Sequence, residues 1–353
     1  MSGFHSVFKL GARLAQGALL AALPAVHAAQ AGPYTHANDI PARQQWTANY
    51  GYCGEVGLIS AGLYYGQYVS QYDARALASR NRDQAAQGSQ LLLGVNDTAA
   101  AARMHLQAVP WKGGPGADTN AFLAWVKTHV ASGHPVLIGV YENLRLFEDT
   151  DDDDAGDAQY DHIVSVTGVS STRPVTIPAA YAADDVLTFS DHGLWSPDGK
   201  PDYRYRYAFG AFQATRQEAN AQDRAVYSLP RGAGNHGLAI TGIIDRDGQA
   251  LPVRVATSAN DEQPAMPEGG SARPASMPLT LTVTVSGLKP GVPYTLYRYD
   301  SFQAVPDAAF NGNASKASKQ WKLQGDGGST YTLQESIRSD QVAVYRAVPD
   351  SAP

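Results

Sequence analysis

The chain has 353 residues, 27 Lys and Arg against 33 Asp and Glu, a formal charge of −6 at pH 7, and one cysteine. Its length leaves room for two domains, and the absence of a broad basic excess argues against nucleic acid as substrate or partner. A single thiol excludes an internal disulfide and any metal site built from several thiolates, so Cys53 is either a small buried hydrophobe or a reactive group.

The N-terminal stretch carries Lys9 and Arg13, then an apolar run interrupted by Gln16, Gly17 and Pro24, then Val26 and Ala28 ahead of Ala29. This pattern reads as a secretory signal peptide over residues 1–28. The run is short for a bilayer span, which makes an uncleaved anchor the weaker reading. The expected location is therefore secreted or periplasmic, with no membrane span after signal removal. Residues 29–43, polar and proline-bearing, read as an extended arm.

From Cys53 onward, Val56, Ile59, Leu63, Tyr64 and Tyr68 recur near the helical period, which predicts a buried helix beginning at or just after Cys53. A second helix is expected over Asp97 to His105, capped by Asp97 or Thr98. A third is expected over Thr119 to Val130, with Phe122, Trp125 and Val126 inward. The segments His134 to Glu142, His162 to Val169 and Asp185 to Asp191 are short, rich in branched residues and bounded by turn signals, as strands are. Tyr203 to Phe209 and Ala225 to Leu229 read the same way, and the YRYRY alternation favours sheet packing of its aromatic face. Helices followed by strands indicate an α+β domain with an antiparallel sheet, placed at residues 44–235. Beyond it, LAITGIID, PVRVAT, LTLTVTVSGL, PYTLYRYD and VAVYRAV predict an all-β, sandwich-like domain over 238–350. The Pro, Ser and Gly-rich stretch SANDEQPAMPEGGSARPASMP reads as a flexible loop.

Chemistry centres on Cys53. A thiol becomes a nucleophile on losing its proton, and a helix N-terminus supplies partial positive charge and unsatisfied N–H groups that favour the thiolate. Cys53 stands where the polar loop ANYGY gives way to the apolar helix. A cysteine nucleophile also needs an imidazole to take and return the proton. His162 alone combines a strand start with an apolar strand crossing the core, whereas His36, His105, His129 and His134 lie in polar, helical or turn contexts. Asp191, at the end of the next strand, is the candidate orienter of that imidazole. Asp161 is adjacent to His162 and points to the opposite face, and Asp185 stands at the far end of its strand.

The blocks NYGYCGE, GHPVLIGVY, YDHIVSVTGV and VLTFSDHG, in that order, resemble the papain-like cysteine peptidases, closest to the bacteriocin-leader-processing (double-glycine) branch. The resemblance covers about Gln44 to Gly193 and not the β-rich remainder. It implies a helix-borne nucleophile at Cys53, a strand-borne base at His162 and an orienting carboxylate at Asp191. It also implies a glutamine ahead of the cysteine whose amide, with the Cys53 N–H, forms an oxyanion hole. Gln44 and Gln45 are both available, and Gln45 is the nearer. The expected activity is that of a cysteine-type peptidase or amidase working on a peptide or amide through a thioester, with no cofactor. The alternatives are a transpeptidase using the same triad, or a catalytically silent scaffold in a secreted binding or adhesion protein. The run Glu148 to Asp157 places Asp149, Asp151 and Asp153 like the start of a calcium loop, but the glycine and distal glutamate of that motif are misplaced, which favours a solvated acidic loop. No HExxH, CxxC, GxSxG or P-loop pattern competes.

Overall fold

The structure, a computed structural model, describes residues 32–114, 116–143, 160–192, 203–213, 226–230, 232–259, 266–324 and 328–350. The signal segment 1–28 and the acidic run 148–157, with its calcium-like spacing, lie outside the described residues. Among the described residues no helix is long and apolar enough to cross a membrane.

Among the described residues four helices precede most of the strands: α1 (Cys53–Tyr64), α2 (Gln71–Ser79), α3 (Asp97–Arg103) and α4 (Thr119–Ala131). The strands of the first sheet are β1 (Tyr34–Ala37), β3 (Leu106–Pro110), β4 (Val136–Asn143), β5 (His162–Ser171), β6 (Val186–Ser190), β7 (Arg204–Ala208), β8 (Val226–Ser228) and β9 (Gly237–Ile243), with β2 (Gln67–Tyr68) pairing elsewhere. Their order is β3-β9-β4-β5-β6-β7, with β1 added to β5 and β8 to β4, all antiparallel. The protein is thus α+β. Side-chain alternation separates two packing surfaces. Val136, Ile138 and Val140 with Val164 and Val166 pack with Phe122, Val126 and Val130 of α4, while Leu137 and Ile163 join the cluster that holds α1 and α3. Close approach explains a glycine inside α1, since a Cβ on Gly57 would stand 2.8 Å from Leu137 Cδ2.

The second set of strands is β10 (Val253–Thr257), β11 (Pro278–Ser286), β12 (Pro293–Tyr299), β13 (Lys319–Gln324), β14 (Thr330–Arg338) and β15 (Ala343–Pro349). They form a three-stranded sheet, β10-β11-β14, and a four-stranded one, β13-β12-β15-β2. In β11 Leu279, Leu281, Val283 and Val285 are buried in alternation, and they share one apolar cluster with Tyr294, Leu296 and Tyr345 of the other sheet.

Three placements differ from the sequence expectation. The segment LAITGI, grouped with the all-β part, forms β9 and completes the first sheet by pairing with β3 and β4. Its short apolar run suits either sheet, and only the partner strands decide. Residues 34–37 of the expected arm are extended but paired with β5 rather than free. Residues 266–277 of the expected flexible loop are pinned by side chains, with Met266 buried against Trp46 and Tyr52. Helix α2 went unpredicted, although Ser70 caps it by accepting from Asp73 N at 3.0 Å. Helix α3 starts after Asn96, while the Asp97 carboxylate accepts from Gly94 N and Thr98 N. Tyr205 and Tyr207 stack on Phe189, in keeping with the packing role expected of YRYRY.

The two halves share strands and core: β2 extends the second sheet through β15, and one cluster runs from Leu58 and Ile59 of α1 to Leu281 and Leu296. Unfolding should therefore be a single calorimetric transition. Leu296→Ala, at a fully buried position, should cost about 2–5 kcal/mol and shift that transition as a whole. A second transition left unmoved by the substitution would contradict a shared core.

Candidate active site

Cys53 is the first residue of α1 and is half-buried. The chain reaches it through three consecutive residues in the left-handed region: Asn49 (φ 54°), Tyr50 (φ 67°) and Gly51 (φ 77°). Only Gly51 adopts that conformation freely, and a side-chain-bearing residue there costs roughly 1–2 kcal/mol. The surroundings hold the loop in place. Fully buried Arg75 of α2 donates to Asn49 O at 2.9 Å and to Gly51 O, lies 3.6 Å from the centre of the Tyr52 ring, and pairs with Glu55 at 2.7 Å. Glu55 sits in the first turn of α1 and also accepts from Leu91 N at 3.0 Å. Burial raises its carboxyl above the ordinary value, against the pull of Arg75.

His162 opens β5, directly across from Val140 of β4. Its Nε2 lies 2.7 Å from Asp191 Oδ1 and 3.7 Å from Glu142 Oε2. The Cys53 side chain lies close enough to the ring to favour its charged form, and since Nε2 is engaged by Asp191, Nδ1 is the ring nitrogen open to a thiol. Asp191, fully buried just past β6, accepts from the His162 ring, from His192 N at 2.8 Å and from Tyr227 Oη. Tyr227 Oη also stands 3.1 Å from Glu142 Oε1.

The charges follow from this geometry. Burial opposes a positive imidazole at His162, but Glu142 and Asp191 outweigh it and hold the group well above the ordinary histidine range. Burial likewise opposes ionisation of Asp191, and here the charge and hydrogen bond of His162 win, holding the carboxyl below its usual value. Glu142 goes the other way: burial, with Asp191 and Asp161 nearby, pushes it up to about 8 despite His162. Two carboxyls around one imidazolium thus settle as one anion and one acid. Tyr227 has one proton to give. With Glu142 protonated, Glu142 donates to Tyr227, Tyr227 to Asp191, and every bond in the chain has a donor.

Gln45 lies beside the loop that leads into Cys53. It is buried, its N–H donates to His192 O at 3.1 Å, and its Nε2 is 3.3 Å from where a Cβ on Gly51 would stand. Its Oε1 has no protein partner among the described residues. Gln44 differs in role: its carbonyl accepts from Gln71 Nε2 at 3.1 Å. The structure thus brings Cys53, His162, Asp191 and Gln45 to one place. Asp161 accepts from Glu142 N at 2.8 Å, and Asp185 pairs with Lys127 at 2.6 Å, so neither takes the orienting position.

Sequence reasoning missed Glu142, Tyr227 and His192. The first was within reach, because the strand period puts Glu142 on the same face as Val140 and hence as His162. Tyr227 is the cross-strand neighbour of Glu142 in the β4–β8 pair, a register that sequence does not reveal. The His192 ring stands 5.8 Å from that of His162, and burial, then the His162 charge, lowers it to about 4.

Glu142, His162 and Asp191 offer ligand atoms within 4.8 Å of one another, the pattern of a metal site. The spacing fits a proton better than a cation: ligands at about 2.0–2.1 Å from a tetrahedral ion stand about 3.3 Å apart, whereas His162 and Asp191 are at 2.7 Å with Tyr227 bonded to both carboxyls. The chain matches no protein-family model, no curated protein and no solved structure, so its own geometry carries the functional reading.

The protonated state of Glu142 has a thermodynamic signature. The native protein keeps the proton up to about pH 8, while the ordinary carboxyl value is 4.5. Between these values the native state binds more protons than the unfolded one, so stability falls as pH rises. Glu142→Gln, which mimics the protonated acid, should flatten that fall by an amount on the order of a few kcal/mol. Denaturant titrations across this pH window measure it, and identical slopes for both proteins would contradict a protonated Glu142.

Proposed function

We propose that the protein is an exported, papain-like cysteine hydrolase, a peptidase or amidase that acts through a thioester acyl-enzyme. The observation that carries this reading is the placement of His162, bonded through Nε2 to the buried Asp191 and close enough to Cys53 for that side chain to favour its charged form. Export, to the periplasm or outside the cell, rests on the basic, apolar and small-residue order of the first 28 residues.

In the reaction Cys53 Sγ, as thiolate, adds to the substrate carbonyl carbon. The developing oxyanion accepts from the Cys53 N–H, which has no intrahelical partner in the first turn of α1, and from Gln45 Nε2. His162, as imidazolium, gives its proton to the departing amine as the C–N bond breaks, leaving a thioester on Cys53. Water then attacks the thioester, His162 takes its proton, and the acid leaves with Cys53 restored as thiolate. Asp191 remains ionised throughout and fixes the ring, while Tyr227 and Glu142 hold Asp191.

Because the chain has one cysteine, thiol labelling reports on this site alone. Iodoacetamide near neutral pH should modify the native protein quickly and the His162→Ala variant slowly. Equal, slow labelling of both would remove the enzyme reading. Gln45→Ala should lower turnover of a cleavable amide by about a hundredfold to a thousandfold while labelling stays fast. An unchanged turnover would take the oxyanion role from Gln45.

A further inference from the structure

The loop that delivers Cys53 is held from two sides. Arg75 reaches the carbonyls of Asn49 and Gly51 from inside the helical part. The remaining polar groups of Asn49 are met by a segment that lies between β10 and β11 in the chain, within the β-rich half. The Asn49 N–H donates to Glu268 Oε2 at 2.9 Å, and its Nδ2 donates to Gly270 O at 2.8 Å and to Met266 Sδ at 3.0 Å. Its Oδ1 accepts from Gly269 N at 2.8 Å. Tyr52, the residue before the nucleophile, sets its hydroxyl 3.1 Å from the same Met266 sulfur. The segment is fastened beyond this point as well: Tyr72 Oη donates to Ser271 O at 3.2 Å, Ser271 bonds to Asp83, and Arg273 pairs with Asp73 while lying over the Tyr72 ring.

We propose that Met266–Arg273 is a strap by which the β-rich half positions the candidate nucleophile, acting through Asn49. The inference rests on Cys53 being the nucleophile. Three successive left-handed residues are not a conformation that a loop holds unaided, and Asn49, fully buried, has its N–H, amide nitrogen and amide oxygen all bonded to residues 266–270. The loop in turn fixes where α1 begins, and with it the alignment of Cys53 Sγ with the His162 ring. The β-rich half is then a working part of the catalytic unit, with Asn49 and Glu268 as positioning residues.

The test uses the full chain and the rate of Cys53 alkylation by iodoacetamide at about pH 6, where only a thiolate paired with the imidazolium reacts fast, and at about pH 9, where any accessible thiol reacts. Glu268 is exposed, so Glu268→Ala leaves the core intact, and Asn49→Gly keeps the left-handed backbone while deleting the side-chain bonds. Both should lose on the order of tenfold at the lower pH, with little change at the higher. Glu268→Gln, which keeps an oxygen for the Asn49 N–H, should behave as wild type. Should Asn49→Gly fail to fold, the Glu268 pair decides. Wild-type rates in Glu268→Ala at both pH values, or a loss equal at both, would overturn the strap. A wild-type protein no faster than His162→Ala would instead overturn the nucleophile reading.

Discussion

His162 is a buried imidazolium bonded to the Asp191 carboxylate, with the Cys53 side chain close by at a helix start, and the rest of the site is arranged to make that charge tolerable. A buried imidazolium is costly unless opposite charge and hydrogen bonds compensate it. Asp191 supplies the charge and accepts three donors, while Glu142 stays neutral by keeping its proton. The antiparallel sheet makes this possible: β4, β5 and β8 present Glu142, His162 and Tyr227 within one small volume, and the end of β6 adds Asp191.

The second constraint is the approach to Cys53. A buried ion pair, Arg75 with Glu55, holds the backbone carbonyls before α1 from within, and the segment from Met266 holds the other side of the same loop. Both halves of the chain therefore bear on one turn of backbone. The shared apolar core and the pairing of β2 with β15 place that contact inside a single cooperative structure.

Much of this arrangement was legible from residue order. The change from a polar loop to an apolar helix located Cys53, since a helix boundary is a local property of the chain. The strand period set Asp191 above Asp161, and the same rule applied to β4 would have singled out Glu142. Other features were not local. Whether LAITGI joins one sheet or another depends on its neighbours, and the six-residue run carries no mark of them. The Pro and Gly-rich residues near Met266 read as a flexible loop because their order comes from Asn49 and Tyr72, some two hundred positions away in the chain. The choice of Gln45 over Gln44 rested on distance along the chain; in space, the tight turn at Gly51 leaves room for the Gln45 amide and puts Gln44 to other use.

Acyl transfer by Cys53 can be read out with a peptide-library cleavage screen run on the wild-type chain and on Cys53→Ala. The wild-type protein should give products at a set of preferred sites, and Cys53→Ala should give none. Products formed equally by both proteins would contradict it.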